Sequence, residues 1–132
     1  MSIQLSITGF YTGILTLLFM VLAFNIIRLR YKFKVGVGDG EQPQLIKAIR
    51  VHGNFAEHVP ITLILLACYE LNGGDAMWLH ILGASIFIGR ILHVVGLTKT
   101  TGVSTQRQFG MISIFLVMMI LAVENIRLFV IN

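Results

Sequence analysis

The chain alternates long apolar stretches with short polar ones, and the apolar stretches have the length of membrane spans. No charged side chain precedes Arg28, and three further largely apolar stretches follow, separated by Gly-rich or charged segments. An α-helix rises ~1.5 Å per residue, so ~20 apolar residues cross the hydrocarbon core of a bilayer. The pattern therefore predicts an all-α integral membrane protein with helices at residues 3–33, 43–71, 76–97 and 105–131.

The predicted boundaries rest on residues that begin or break helices. Glycines at 36, 38 and 40 interrupt the first helical pattern, and residues 72–75, with the sequence Asn-Gly-Gly-Asp, form a turn. Pro43 suits the first turn of the second helix, because its missing N–H would be unpaired there in any case. Ser104 or Thr105 can cap the fourth helix. The four spans use nearly all of the 132 residues, so a single domain is predicted.

Composition and charge agree with a membrane protein and indicate its orientation. Hydrophobic residues make up 56% of the chain and charged residues only 12%, and the mean hydropathy is +0.86. Soluble domains typically have fewer hydrophobic and more charged residues. Six of the ten basic residues lie between Arg28 and Arg50, beside an apolar span, so the formal charge of +4 reflects membrane orientation rather than nucleic-acid binding. By the positive-inside rule, the first and third loops face the cytoplasm, and both termini face the other side.

The second helix carries polar residues at membrane depth, where ionisable groups are costly and usually functional. At about 100° per residue, Asn54 lies about 40° and Glu57 about 20° from Arg50 around the helix axis, so the three form one polar stripe. Such a stripe suits a small zwitterionic ligand, with Arg50 binding a carboxylate bidentately and Glu57 binding an ammonium. The alternative is that Arg50 and Glu57 neutralise one another or pair with another helix.

The third helix adds a second polar pair near its cytoplasmic end. Arg90 and His93 are three residues apart and are therefore neighbours on one helix face. Arg90 could contribute to the same site, reach outward to the membrane interface, or pair with Glu57. The spacing alone leaves these readings open.

Histidine and cysteine spacing does not indicate a metal site or a disulfide. His52 and His58 lie ~120° apart on one helix, and His80 and His93 lie ~140° apart on another, so neither pair can chelate. Cys68 is the single cysteine and lies within an apolar run, which predicts a buried thiol and excludes an intrachain disulfide.

The second-helix motif Arg50-x-x-x-Asn54-x-x-Glu57-x-x-Pro60 resembles the MAPEG superfamily, the membrane-associated proteins of eicosanoid and glutathione metabolism. The resemblance covers the whole chain and is greatest to a small bacterial branch. It extends to Phe33, Val35, the Gly-Asp-Gly turn at 38–40, Gly89-Arg90 and Arg107. It implies a homotrimer in a bacterial inner membrane, with glutathione as co-substrate bound between subunits toward the cytoplasmic side.

The resemblance also implies roles for individual residues. Arg107 would be the catalytic residue, whose positive charge stabilises the glutathione thiolate. The remaining positions would bind glutathione, with Arg30 contributed by the adjoining subunit: Arg30, Arg50, His52, Asn54, Glu57, His58, Arg90 and His93. The chain departs from the family where His58, His93 and Leu97 replace common tyrosines. The two histidines can still donate hydrogen bonds, whereas Leu97 cannot.

These observations favour a glutathione S-transferase, with or without hydroperoxide-reducing activity, that conjugates glutathione to a hydrophobic electrophile arriving from the membrane lipid. The alternative is a non-catalytic protein of the same fold that binds lipid or presents a partner. Retention of Arg50, Asn54 and Glu57 favours the enzyme, and loss of the tyrosines favours the alternative. An ion or proton pathway built on Glu57 and the histidines has no selectivity motif to support it.

Overall fold

The protein is an all-α four-helix bundle. The computed structural model describes residues 4–99, 102 and 104–132, except for the side chain of residue 98. The helices are α1 (Ser6–Phe33), α2 (Pro43–Leu71), α3 (Ala76–Lys99) and α4 (Thr105–Ile131). Loops one, two and three are the segments that join these helices in chain order. All four are long and apolar enough to cross a membrane, which confirms the predicted four-span class. The predicted start of the first helix at residue 3 lies outside the described residues, and α3 continues two residues beyond its predicted end.

The helix ends follow the local chemistry of the sequence. Lys34 ends α1 in the left-handed conformation, with φ of 55°, and its N–H donates back to the carbonyls at the end of the helix. Pro43 begins α2, as predicted. Of the two candidate caps for α4, the structure uses Ser104, whose hydroxyl accepts a hydrogen bond from the Arg107 N–H at 3.2 Å.

α3 and α4 pack against each other more extensively than any other pair, because glycines let their backbones approach. A Cβ at Gly110 would lie 2.5 Å from the carbonyl oxygen of Gly89, and one at Gly96 would lie 2.7 Å from the backbone nitrogen of Arg107. α2 and α3 also contact each other, and both α1 and α4 pack on this pair. Close helix packing at small residues is the usual means of association in a bilayer, where burial from water supplies no force between helices.

Apolar side chains occupy both the interior and the outer surface of the bundle. Leu15, Leu66, Ile86 and Leu121 are fully buried, while large apolar residues such as Phe10, Leu17, Phe24, Phe115 and Phe129 are exposed. In water this surface would aggregate, but in a bilayer it faces lipid tails. Cys68 belongs to this outer surface, so the prediction that its thiol is buried is wrong for the single chain. An uninterrupted run of apolar residues cannot distinguish the side of a helix that faces lipid from the side that faces the interior, because both sides are apolar.

Polar contacts at the loop-two end fix α1 against its neighbours. The Glu70 carboxylate, at the end of α2, accepts hydrogen bonds from the backbone N–H groups of Ile7 at 3.0 Å and Thr8 at 2.7 Å. The hydroxyl of Tyr11 lies 3.1 Å from His80 Nδ1 and donates to the His80 carbonyl, also at 3.1 Å. These contacts hold α1 against α2 and α3 at one end, and the groove described below lies at the other.

Candidate functional site

A groove of about 420 Å³ lies among α2, α3 and α4, at the end of the bundle that carries loops one and three. Four predicted site residues line it, from all three helices: Arg50, Asn54, His93 and Arg107. Lys47 lines the groove as well, so three cationic side chains converge there and no carboxylate is among the lining residues. The groove therefore has the electrostatic character of an anion-binding site.

The glycines of α3 and α4 bring Arg107 next to His93. Gly96 leaves room for the first turn of α4, and Gly110 lies so close to α3 that an added Cβ would be 2.8 Å from the His93 Cβ. The cap at Ser104 fixes the backbone of Arg107. The backbone position of the predicted catalytic arginine is thus set by close helix packing and by the Ser104 cap.

Arg90 lies behind the groove and links three helices. Its side chain is only 1% exposed, Nη1 donates to Asn54 Oδ1 at 2.6 Å, and Nη2 donates to the Gly110 carbonyl at 2.8 Å. The Asn54 amide nitrogen in turn lies 3.3 Å from the Met111 sulfur. Two of the readings left open by the sequence, that Arg90 reaches the membrane interface or pairs with Glu57, are therefore wrong. The guanidinium instead holds Asn54 in a fixed orientation at the groove.

The predicted stripe on α2 divides between two surfaces. Asn54 is buried and turned into the bundle, whereas the Arg50 and Glu57 side chains are 64% and 54% exposed. Arg50 Nη1 and Glu57 Oε1 are 3.7 Å apart, so the mutual pairing considered for the sequence occurs in the single chain. At 3.7 Å the pair is too long for a hydrogen bond, so either partner can exchange it for a ligand. Glu57 is paired with Arg50, which lines the groove, but Glu57 does not line the groove itself.

Three other predicted binding residues do not line the groove in the single chain. His52 stacks on Phe19 of α1, with ring centroids 4.5 Å apart, and so faces away from α4. Arg30 donates to carbonyls of loop one, the shortest distance being 2.8 Å to Gly38, and therefore braces that loop. His58 lies one turn from Asn54, with Nδ1 2.9 Å from the Asn54 carbonyl, and its ring packs edge-to-face on Phe115.

Several residues that line the groove were not among the predicted site residues. Lys47 precedes Arg50 by three positions, and Met111 follows Arg107 by four, so each shares a helix face with a residue that was predicted. That spacing was the available signal for both. Ile46 and Leu97 complete the wall and make part of it apolar.

A metal centre has no basis in the geometry of the described residues. Within 4–99, 102 and 104–132, histidines, cysteines and carboxylates never form a group of three that could hold a metal ion.

The sequence matches a known family of membrane proteins. Residues 8–127 match the model of the MAPEG family, and the chain belongs to that family, as the helix-two motif predicted. The family includes glutathione transferases.

Bacterial proteins are among its relatives. The inner membrane protein YecN of Escherichia coli strain K12 is 37% identical over 90 residues, which cover 68% of this chain and 69% of YecN. YecN of Escherichia coli O6:H1 matches with the same identity and coverage. No solved structure gives a significant match.

Proposed function

We propose that the groove among α2, α3 and α4 binds glutathione and that the protein is a membrane-bound glutathione transferase acting on hydrophobic electrophiles. The observation that carries the proposal is the convergence of Lys47, Arg50 and Arg107 on the buried Asn54 and His93, without a carboxylate among the lining residues. Glutathione has two carboxylates, one ammonium group and a thiol, and it is anionic at neutral pH. Its carboxylates suit the guanidinium and ammonium groups of the groove.

Each polar group has a distinct use in such a complex. Arg50 is free enough to leave Glu57 and take a carboxylate, after which Glu57 becomes available for the glutathione ammonium group. Asn54 keeps its orientation because Arg90 holds its oxygen. Arg107 then places a positive charge near the thiol, which lowers the thiol pKa from ~8.5 and increases the fraction of thiolate at neutral pH. A thiolate formed at the edge of the bilayer can attack an electrophile dissolved in the lipid.

The exposed side of α2 supports assembly into a homotrimer. Arg50, Glu57, Ile61, Ile64 and Cys68 all fall within about 40° of one line along the helix, and all are exposed. Charged groups that face lipid tails are costly, and membrane proteins usually turn them toward a protein interface or water. A neighbouring subunit would cover this stripe, and its Arg30 could complete the glutathione site. The bacterial inner membrane is the proposed location, with loops one and three in the cytoplasm.

A non-catalytic lipid-binding role is the second candidate. It is favoured by the apolar part of the groove wall, where Leu97 supplies no hydrogen-bond donor and Ile46 and Met111 add further apolar surface. In that case glutathione would bind without turnover, or not at all. Binding and activation of the thiol therefore need separate measurements.

Glutathione binding is tested by thermal unfolding of the purified protein in neutral detergent. We expect millimolar glutathione to raise the Tm, because a ligand that binds only the folded state stabilises it. Arg50→Gln should abolish most of that shift. Arg28→Gln is the matched control, since Arg28 lies on α1 outside this groove, and its shift should equal that of the wild type.

Thiol activation is tested by the ultraviolet absorbance of the glutathione thiolate. The wild-type protein should generate thiolate on binding, and Arg107→Gln should bind glutathione with much less thiolate. A thiolate signal that survives in Arg107→Gln would assign activation to another group. Binding without thiolate in the wild type, and without turnover of any electrophile, would select the non-catalytic role.

A further inference from the structure

A second groove, of about 490 Å³, lies among α1, α2 and α3 at the same end of the bundle. Its polar rim consists of Asn25 and Arg28 from α1 and of Gln44 and Lys47 from α2. Its remaining surface is apolar and extends into the membrane-spanning part of the helices. Nothing in the proposed glutathione chemistry uses this groove, apart from Lys47, which borders both grooves.

The two cations of the rim lie at matching depths. Arg28 is five residues before the end of α1, and Lys47 is four residues after the start of α2. At ~1.5 Å per residue, both lie within ~8 Å of their helix ends, the level of lipid headgroups for a helix that spans the bilayer. Arg28 Nη2 donates to Asn25 Oδ1 at 2.8 Å, which orients the guanidinium and leaves its other N–H groups for a ligand.

The apolar part of the groove continues from this rim toward the bilayer centre. Val21 and Leu22 of α1, Val51 of α2 and Val94 of α3 line it, and Val21 is 62% exposed. At the opposite end of the bundle, Tyr11 holds α1 directly against α3. The groove is thus closed toward loop two, open to lipid along α1, and positively charged at the headgroup level, with no carboxylate among its lining residues.

We propose that this groove binds an anionic phospholipid, with the phosphate between Arg28 and Lys47 and an acyl chain along Val21 and Val94. A cationic rim above an apolar channel matches an amphiphile whose charge and chain lie in the same order. Basic pockets between membrane helices commonly bind lipid phosphates in this way. The groove shares only Lys47 with the proposed glutathione site, since Arg28 and the apolar channel lie outside the other groove.

The test uses tryptophan fluorescence and brominated lipids. Trp78, the single tryptophan, is replaced by Phe, and Val21→Trp places a fluorophore in the groove. The protein is reconstituted into phosphatidylcholine vesicles that contain either brominated phosphatidylglycerol or brominated phosphatidylcholine. We expect quenching to show a preference for phosphatidylglycerol of roughly 25-fold, from about five-fold for each of the two basic residues of the rim.

Charge variants show whether the preference belongs to the groove. Arg28→Gln and Lys47→Gln should each reduce the preference by about five-fold, whereas Lys34→Gln, an equal loss of charge outside the rim, should leave it unchanged. Equal quenching by the two lipids, or an equal loss in Lys34→Gln, would overturn the proposal. Absence of quenching by either lipid would mean that a second copy of the chain covers the groove, which would also overturn it. Glutathione-dependent stabilisation of Arg28→Gln shows separately whether the other groove is intact.

Discussion

Among single residues, Arg90 determines how the groove is arranged. It is a buried cation whose two terminal nitrogens bond to the side-chain oxygen of Asn54 and the backbone oxygen of Gly110. The sequence identified Arg90 as a candidate because a charge at membrane depth is unusual. The sequence could not identify the partners of Arg90, because one is the backbone carbonyl of Gly110 and the other, Asn54, was predicted to bind the ligand. The angular position of a residue on its helix shows the direction in which its side chain leaves the axis. It does not show which neighbouring helix lies in that direction.

We expect Arg90→Met to destabilise the protein by removing both hydrogen bonds. The buried oxygens of Asn54 and Gly110 then lose a donor, at about 1–3 kcal/mol each when no other partner is found. Thermal unfolding in detergent should show a lowered Tm, while the exposed Arg28→Gln should change stability by no more than about 0.5 kcal/mol. Asn54→Leu combined with Arg90→Met should cost less than the sum of the single changes, because one orphaned oxygen is gone. Wild-type stability of Arg90→Met would contradict this role.

At the scale of helices, the apolar pattern predicted the elements well but not their contacts. Pro43, the glycines of loop one and the turn at 72–75 located the end of α1, both ends of α2 and the start of α3. The pattern gave no sign that Glu70 caps α1, because the two ends are more than sixty residues apart in sequence. It also could not place His52 against Phe19, since every side of α2 faces either protein or lipid and both are apolar.

The Glu70 cap should stabilise the first turn of α1 through charge as well as hydrogen bonding. Glu70→Gln keeps the shape but removes the negative charge that favours a helix N-terminus, an effect of about 0.3–1 kcal/mol. Amide hydrogen exchange at Ile7 and Thr8 should therefore become faster. Glu41→Gln, in exposed loop one, is the matched control and should leave those amides unchanged. Equal exchange in Glu70→Gln and the wild type would rule out a contribution from the carboxylate charge.

At the scale of the whole molecule, the single chain leaves a charged stripe uncovered on α2. Arg50 and Glu57 are half-exposed on a helix that the membrane surrounds. The sequence predicted both residues as ligands together with Asn54, yet only Arg50 and Asn54 line the groove. The difference has a physical cause: Asn54 and Glu57 lie on opposite sides of Arg50, so the stripe is about 60° wide and can straddle the edge between the bundle interior and the outer surface. Covering that edge is the task we assign to a second subunit.

The assembly prediction is tested by native mass spectrometry from detergent. The wild-type protein should have the mass of three subunits. Ile64→Trp should have the mass of a single chain, because a bulky ring on the exposed α2 stripe prevents close approach of a second subunit. Met119→Trp is the control, since Met119 is 65% exposed on α4 and lies outside that stripe. A wild-type mass of one chain would remove the subunit interface from the account. Loss of assembly in Met119→Trp alone would move the interface to α4.

Equilibrium dialysis of labelled glutathione against the purified protein measures whether the cationic groove among α2, α3 and α4 holds glutathione. We expect saturable binding at millimolar or lower concentration, with one glutathione per subunit. This binding should weaken strongly in Arg50→Gln and persist in Arg28→Gln. The absence of saturable binding by the wild-type protein at millimolar glutathione would contradict the proposed function.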